Sequence, residues 1–582
     1  MNLLMKTKHS ILHGIVALAL CAQALAGSVM FPTHAPKAIV STVQASASNA
    51  GVEVLRAGGN AVDAAVAVGF ALAVTHPEAG NLGGGGFLLF RRPDGEVHFL
   101  DYREKAPAKA TADMYLDKNG NVIEGLSTIG YKAIAVPGSV AGLAYAQKHW
   151  GKLSLQQVME PAIRLARDGF ALDYAGAMDL HDKDLTKFPV SRRIFQRDGN
   201  FYQPGDVFKQ PELARTLERI AKNPDDFYHG DLARELAAAM QQGGGFVTAE
   251  DLAAYEVKER QPIRGTYRGY EIISAPPPSS GGVALVEILN ILEGYDLAKQ
   301  GNRSGASIHL TAEAFQRAFF DRAEFLGDPD YSKIPVAQLI DKRYGAAWRE
   351  TIPLRRATPA SELKRPAIFT QLDRYASAHP QPKSIREPEH TTHYSIVEPE
   401  GNAVSVTTTL NDSFGSRVTA EGLGFLMNNE MDDFAAKQGV PNMYGLIQGP
   451  ANSVGANKRP LSAMTPTIVL KDGKLFLVLG SPGGPTIITT VANVLMGVID
   501  YGMNIQEAVN AARFHNQWLP DEIMLERYGT SPDTLQILEH MGHKIKSERD
   551  FWGDAECIAI DPKTGERLGA SDGRNNGKAV GF

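Results

Sequence analysis

The chain has 582 residues, 43% of them hydrophobic and 21% charged, the balance of a soluble globular protein with room for one large or several medium domains. Its formal charge of −6 argues against a nucleic-acid partner, which calls for a basic surface. There is no His/Cys cluster with zinc spacing, so neither a metal nor a cofactor is expected.

In chain order, Lys6 and Lys8 precede an apolar run over residues 11–20 and then Ala24-Leu25-Ala26. Positive, apolar and small-residue segments in that order predict a secretory signal peptide, residues 1–26, cleaved after Ala26. The apolar run is too short to span a membrane, and Leu20 fits poorly ahead of a lipid-modified Cys21. Removal of this segment leaves 57 basic against 65 acidic side chains, a charge of −8, and Cys557 as the single cysteine. No intramolecular disulfide is then possible. A periplasmic or secreted protein without disulfides is the expectation.

Residues 40–76 read as helical, with a stretch AVDAAVAVGFALAV whose small residues on every face predict burial. The glycine turn Asn81 to Gly86 follows, then FLLFRR and VHFLDYR around an Asp-Gly turn, which read as a hairpin. The four glycines lack the Lys-Ser/Thr of a phosphate loop and the spacing of a dinucleotide fingerprint, so close backbone packing is the favoured reading. Residues 136–258 read as mostly helical. PPPSSGG at 276–282 is a rigid turn before an apolar helix at 283–292, and residues 351–389 form a polar, Pro-containing connector. From Thr391 the pattern changes to strands at 392–397 and 403–410 around the turn EPEGN. Further strands are predicted at 467–470 and 475–479, then a helix at 485–501. Strands mixed with helices on both sides of residue 390 predict α and β layers packed on one another.

Four elements carry possible chemistry. If the hairpin turn is centred on Glu400, Val397 faces Ala403, and counting outward Thr391 faces Thr409, within side-chain contact. Threonine is also a common strand residue, so the pair alone decides nothing. Gly480-Ser481-Pro482-Gly483-Gly484-Pro485 joins a strand to a helix start, where backbone N–H groups favour negative charge; a tight connection explains the same residues. Asn428 to Asp433 groups two amides and three carboxylates, either a solvated turn or a holder for a substrate ammonium, and its spacing fits no calcium loop. Arg103 follows a strand, where it either grips a carboxylate or forms a structural ion pair.

Together these pieces resemble the γ-glutamyltranspeptidase (glutathione hydrolase) family, most closely its bacterial periplasmic members. The resemblance runs through GGNAVDAAVAVGFALAVTHPEAGNLGGGGF, YREKAPAKAT, PPPSSGG, TTHYS, NNEMDDF, NKRPLSAM, GSPGG and RFHNQWLPDE, nearly the whole mature chain. It implies an N-terminal-nucleophile hydrolase fold, a four-layered αββα sandwich. It also implies a precursor that cuts itself between His390 and Thr391 into a large subunit, residues 27–390, and a small one, residues 391–582, which stay together as a heterodimer. By the same resemblance Thr391 is the catalytic nucleophile, Thr409 its hydrogen-bond partner, and Gly483 and Gly484 the oxyanion hole. Arg103 and Ser462 match residues that hold the donor's α-carboxylate, while Asn411, Glu430 and Asp433 match those around its α-amino group. Tyr444 matches a lid. The implied substrates are a γ-glutamyl donor such as glutathione and an amino-acid, dipeptide or water acceptor.

One departure stands out. Many relatives carry two serines where this chain reads Ser462-Ala463, so a hydroxyl able to bind the α-carboxylate is missing and weaker donor affinity is expected. Two other readings remain. A related acylase for glutaryl-type β-lactam side chains would leave Asp433 poorly used, because such substrates lack the α-amino group. A non-catalytic amino-acid-binding protein would not need Thr391, Thr409 and the glycines together.

Overall fold

The computed structural model describes residues 30–372, 391–549 and 551–582. The signal segment, His390 and residues 373–389 of the connector lie outside them. Two antiparallel seven-stranded sheets form the centre of the molecule. The first runs, edge to edge, Lys258–Arg260, Val97–Asp101, Gly85–Arg91, Ala403–Thr409, Thr391–Val397, Ile39–Thr42 and Lys578–Gly581. The second runs Thr33–Ala35, Arg567–Ala570, Cys557–Ile560, Lys474–Leu479, Thr467–Lys471, Tyr270–Ser274 and Ile263–Tyr267.

Successive strand residues point to opposite faces, and here both faces are buried. Phe87, Leu89 and Val397 meet Ile468, Val478 and Ile558 in one apolar layer between the sheets. The alternate residues Leu88, Phe90, Ile396 and Val406 pack outward on the helices Ala45–Arg56, Ala61–Thr75 and Ser139–Trp150. On the other side Ile272, Val469 and Leu477 pack on Gly281–Leu292, Gly305–Phe325 and Thr486–Ile499. The result is helix, sheet, sheet, helix, the expected αββα sandwich. No helix among the described residues is long and apolar enough to cross a membrane.

Residues 40–76 are not one helix. The strand Ile39–Thr42 comes first, then two helices separated at Gly58, whose φ of 96° suits glycine alone. Asn60 starts the second by accepting from the N–H groups of Val62 and Asp63, and Asp63 returns a bond to the Asn60 N–H. The strand escaped pattern reading because all four of its residues are buried, which removes the alternation. The strands over 258–274 and the 21-residue helix Gly305–Phe325 also went unread. The middle segment is mainly helical as expected, with two added two-stranded ribbons, Phe170–Ala171 with Val207–Phe208 and Gln196–Arg197 with Asn200–Phe201.

Candidate active site

The hairpin sets the site. Its register pairs Val397 with Ala403 and Thr391 with Thr409, as counting from the turn predicts. The Thr391 and Thr409 hydroxyl oxygens are 3.1 Å apart. Thr409 Oγ1 also accepts from the Asn411 N–H at 2.8 Å. Asn411 has a φ of 80°, in the left-handed region that asparagine tolerates. The glycine run upstream is needed for approach: a Cβ on Gly84 would lie 2.1 Å from Thr409 O, and one on Gly86 2.5 Å from Thr407 O. Close backbone packing is thus its role. Asn81 completes the clamp, donating to Thr409 O and accepting from the Gly84 N–H.

The second glycine turn arrives beside this hairpin because the two sheets are stacked. Gly480 lies on the His393 ring, which would be 2.1 Å from an added Cβ. That ring is buried between Thr407 and Ser395 hydroxyls, and burial pulls its pKa down to about 3, so it is neutral. Gly483 and Gly484 have φ of 128° and 52°. The Thr486 hydroxyl donates to Gly483 O at 2.7 Å, turning that carbonyl away. The N–H groups of Gly483 and Gly484 donate no hydrogen bond among the described residues, and they sit at the start of the helix Thr486–Ile499, where negative charge is favoured.

The charged end is built around Arg103. Its guanidinium is fully buried and pairs with Glu430 through Nη1 and with Asp433 through Nη2, the latter at 2.5 Å. Burial alone would lower its pKa, but Glu430, Asp433 and Glu104 outweigh that and raise it. The segment Asn428 to Asp433 is a buried turn, not a solvated one. The reason is amide satisfaction: Asn428 bonds Gly83 O and both backbone groups of Ala135, and Asn429 donates to Thr128 O. Glu104, beside Arg103 at 3.6 Å, is pushed up to about 7 by burial against the pull of Arg103. Burial likewise drives Glu430 above the ordinary carboxylate value, against the opposing pull of Arg103.

Ser462 is fixed by the PPPSSGG turn: its carbonyl accepts from the Ser280 N–H and hydroxyl, and its own Oγ accepts from the Met464 N–H. Tyr444 lines the same cavity as Ser462. Its hydroxyl donates to Asn411 O and Oδ1 at 2.7 and 2.8 Å, and its ring stands 3.1 Å from where a Gly484 Cβ would be. Asp432 holds the backbone beside Tyr444, accepting from the Met443 N–H at 3.0 Å and the Ser127 hydroxyl at 2.6 Å; burial raises its pKa to about 7.

Every candidate residue except Gly483 and His390 lines one small cavity. Gly483 is the residue just before the lining, and His390 is outside the described residues. Ala463 also lines it, as does Arg322, which sequence reading missed. Arg322 comes from the helix Gly305–Phe325, donates through Nε to the Ser280 hydroxyl at 2.9 Å, and has a buried Nη1 with no partner. Burial lowers its pKa to about 10. No sequence signal singled it out, because the same helix carries other buried charged residues, among them Glu313, Arg317 and Asp321.

A threonine hydroxyl opening a central strand, a glycine turn beside it and two stacked sheets between helices define an N-terminal-nucleophile hydrolase. The family described as Gamma-glutamyltranspeptidase matches residues 47–582. The glutathione hydrolase proenzyme of Escherichia coli strain K12 is 49% identical over 551 residues, covering 94% of this chain and 92% of that one. An acylase ACY 1 proenzyme of Pseudomonas sp. strain SE83 is 36% identical and covers 94% of each. Among solved structures, the cephalosporin acylase of Bacillus halodurans overlays with a TM-score of 0.81 at 27% identity, covering 96% of this chain and 98% of its own. The γ-glutamyltranspeptidase of Helicobacter pylori overlays with a TM-score of 0.55 at 45% identity, over 56% of this chain and 95% of its own. The chain belongs to the γ-glutamyltranspeptidase family.

Proposed function

We propose that this protein hydrolyses glutathione and related γ-glutamyl compounds and transfers their γ-glutamyl group to amino acids or dipeptides, in the periplasm or outside the cell after loss of residues 1–26. The observation that carries this reading is the sharing of one cavity by the Thr391–Thr409 hydroxyl pair and the Arg103, Glu430 and Asp433 charges. A cut between His390 and Thr391 frees the Thr391 α-amine, whose pKa of about 8 suits a base at neutral pH. Before the cut that nitrogen is an amide and cannot serve.

The Thr391 hydroxyl, oriented by Thr409, then attacks the γ-carbonyl while the α-amine takes its proton. The carbonyl oxygen becomes an oxyanion facing the N–H groups of Gly483 and Gly484, each such donor being worth about 10²–10³ in rate. Collapse expels the amine, which leaves with that proton, and a γ-glutamyl ester remains on Thr391. Water releases glutamate; an acceptor amine gives a new γ-glutamyl amide. The donor's zwitterionic head finds Arg103, Arg322 and Ser462 for its carboxylate, with Asn411, Glu430 and Asp433 for its ammonium. Tyr444 covers the site.

The second reading is an acylase for glutaryl-type side chains, favoured by the close overlay with the cephalosporin acylase. Such a side chain has no ammonium, which would leave Glu430 and Asp433 without a counterpart. Release of the amine from a γ-glutamyl anilide separates the two. The wild type should turn it over well in preference to the glutaryl anilide, and Thr391→Ala should not. The opposite preference would favour the acylase.

A further inference from the structure

Away from the cavity, three metal-ligating side chains meet at the seam between the long helix and the C-terminal part of the chain. His309 and Glu313 stand one turn apart on Gly305–Phe325, on the same face. His543 lies just after the helix Pro532–His540. One ligand atom from each lies within 4.8 Å of the other two, and His309 Nδ1 is 2.7 Å from His543 Nε2.

The surroundings orient these groups as ligands are oriented. His309 Nε2 is 2.8 Å from Pro353 O. A carbonyl only accepts, so Nε2 holds the proton. In the neutral ring Nδ1 then presents its lone pair to the cluster. A histidine that binds a metal through one nitrogen typically donates its other N–H in this way. Glu313 is held just as firmly: Oε2 accepts from Arg317 at 2.6 Å and Oε1 from the Thr358 N–H at 2.8 Å. Each oxygen retains a further acceptor site. His309 and Glu313 are buried, while His543 is partly exposed and gives access from solvent.

We propose that His309, Glu313 and His543 form a binding site for a zinc-class divalent transition-metal ion, with water as the fourth ligand. Two imidazoles and a carboxylate suit zinc and its neighbours, whereas magnesium and calcium take oxygen ligands. Bonds of about 2.0–2.2 Å at tetrahedral angles set donor atoms about 3.4 Å apart, so the two rings separate slightly. His543, the exposed partner, is the one that moves. Its ring proton passes from Nε2 to Nδ1, so both rings stay neutral and two metal–nitrogen bonds replace one hydrogen bond. Pro353 and Thr358, which brace the ligands, precede the proposed cut, and His543 follows it. An ion here therefore fastens the two subunits to each other, a corollary that rests on the cleavage reading while the site itself does not. The sequence showed no such cluster because His309 and His543 are 234 residues apart.

The test is cobalt(II) titration of the untagged mature protein after chelator treatment. The wild type should bind one equivalent, with the visible absorption of a four-coordinate site that zinc(II) abolishes. His543→Gln should bind at least about tenfold more weakly, His543→Asp should retain the absorption, and both should keep wild-type turnover of a γ-glutamyl anilide. No saturable absorption in the wild type, or equal binding by His543→Gln, would overturn the proposal. Anilide turnover shows separately whether the functional reading stands.

Discussion

Ala463 and Arg322 line the same cavity, one where a hydroxyl is missing and the other bringing a buried cation. A lost hydrogen bond to a charged group costs about 1.5–3 kcal/mol, and the buried, unpartnered Nη1 of Arg322 is placed to recover part of that. Ala463→Ser should therefore lower the KM for a γ-glutamyl anilide by up to about tenfold, leaving kcat nearly unchanged. Arg322→Met should raise KM by about tenfold or more, with kcat again little altered. Steady-state kinetics on variants with wild-type circular dichroism decides both; an unmoved KM in either removes that residue from donor binding. Asp432 yields a stability prediction. Burial raises its folded pKa to about 7, above the ordinary carboxylate value. Between these two values the folded state binds more protons than the unfolded, so its contribution is present at low pH and is lost as pH rises toward 7. Melting curves from pH 4.5 to 7.5 should fall less steeply with pH for Asp432→Asn than for wild type. Parallel slopes would show that Asp432 is ionised throughout.

The Tyr444 segment and the hairpin show how far local pattern reaches. Tyr444 is held to Asn411 by its hydroxyl and rests on Gly484 by its ring. Tyr444→Phe keeps the ring contact and removes the hydrogen bonds, worth about 1 kcal/mol net. Amide exchange at Met443 and Gly445 should then quicken by about fivefold, with a modest rise in KM if Tyr444 is the proposed lid; unchanged exchange would place the hold on this segment elsewhere, on Asp432 and Met443. The Thr391–Thr409 pairing was legible because hairpin register follows from turn position alone. The glycine turn was legible as a strand-to-helix joint. What the sequence hid depends on partners distant along the chain. The turn at Glu430 looks solvated until Gly83, Thr128 and Ala135 are seen to satisfy its amides. Ile39–Thr42 lost its alternation by being buried on both faces, and Arg322 belongs to a helix that has no recognisable site pattern.

At the scale of the whole molecule, strands from both sides of residue 390 are interleaved. Thr391–Val397 pairs with Ile39–Thr42, Ala403–Thr409 pairs with Gly85–Arg91, and Lys578–Gly581 closes the edge on Ile39–Thr42. The second sheet repeats this, with Tyr270–Ser274 against Thr467–Lys471 and Thr33–Ala35 against Arg567–Ala570. A cut before Thr391 therefore breaks one peptide bond but no strand pairing, and separating the pieces would expose the apolar layer between the sheets. The mature wild type should give two bands of about 40 and 21 kDa, from roughly 110 Da per residue over the two spans, and should elute as one species under native conditions. Thr391→Ala should stay a single chain of the same native size if, as proposed, the precursor cuts itself with the Thr391 hydroxyl, because that group is gone while the sheets are intact. Two bands in Thr391→Ala would assign the cut to another protease, and an uncut, active wild type would remove the α-amine from its role as base.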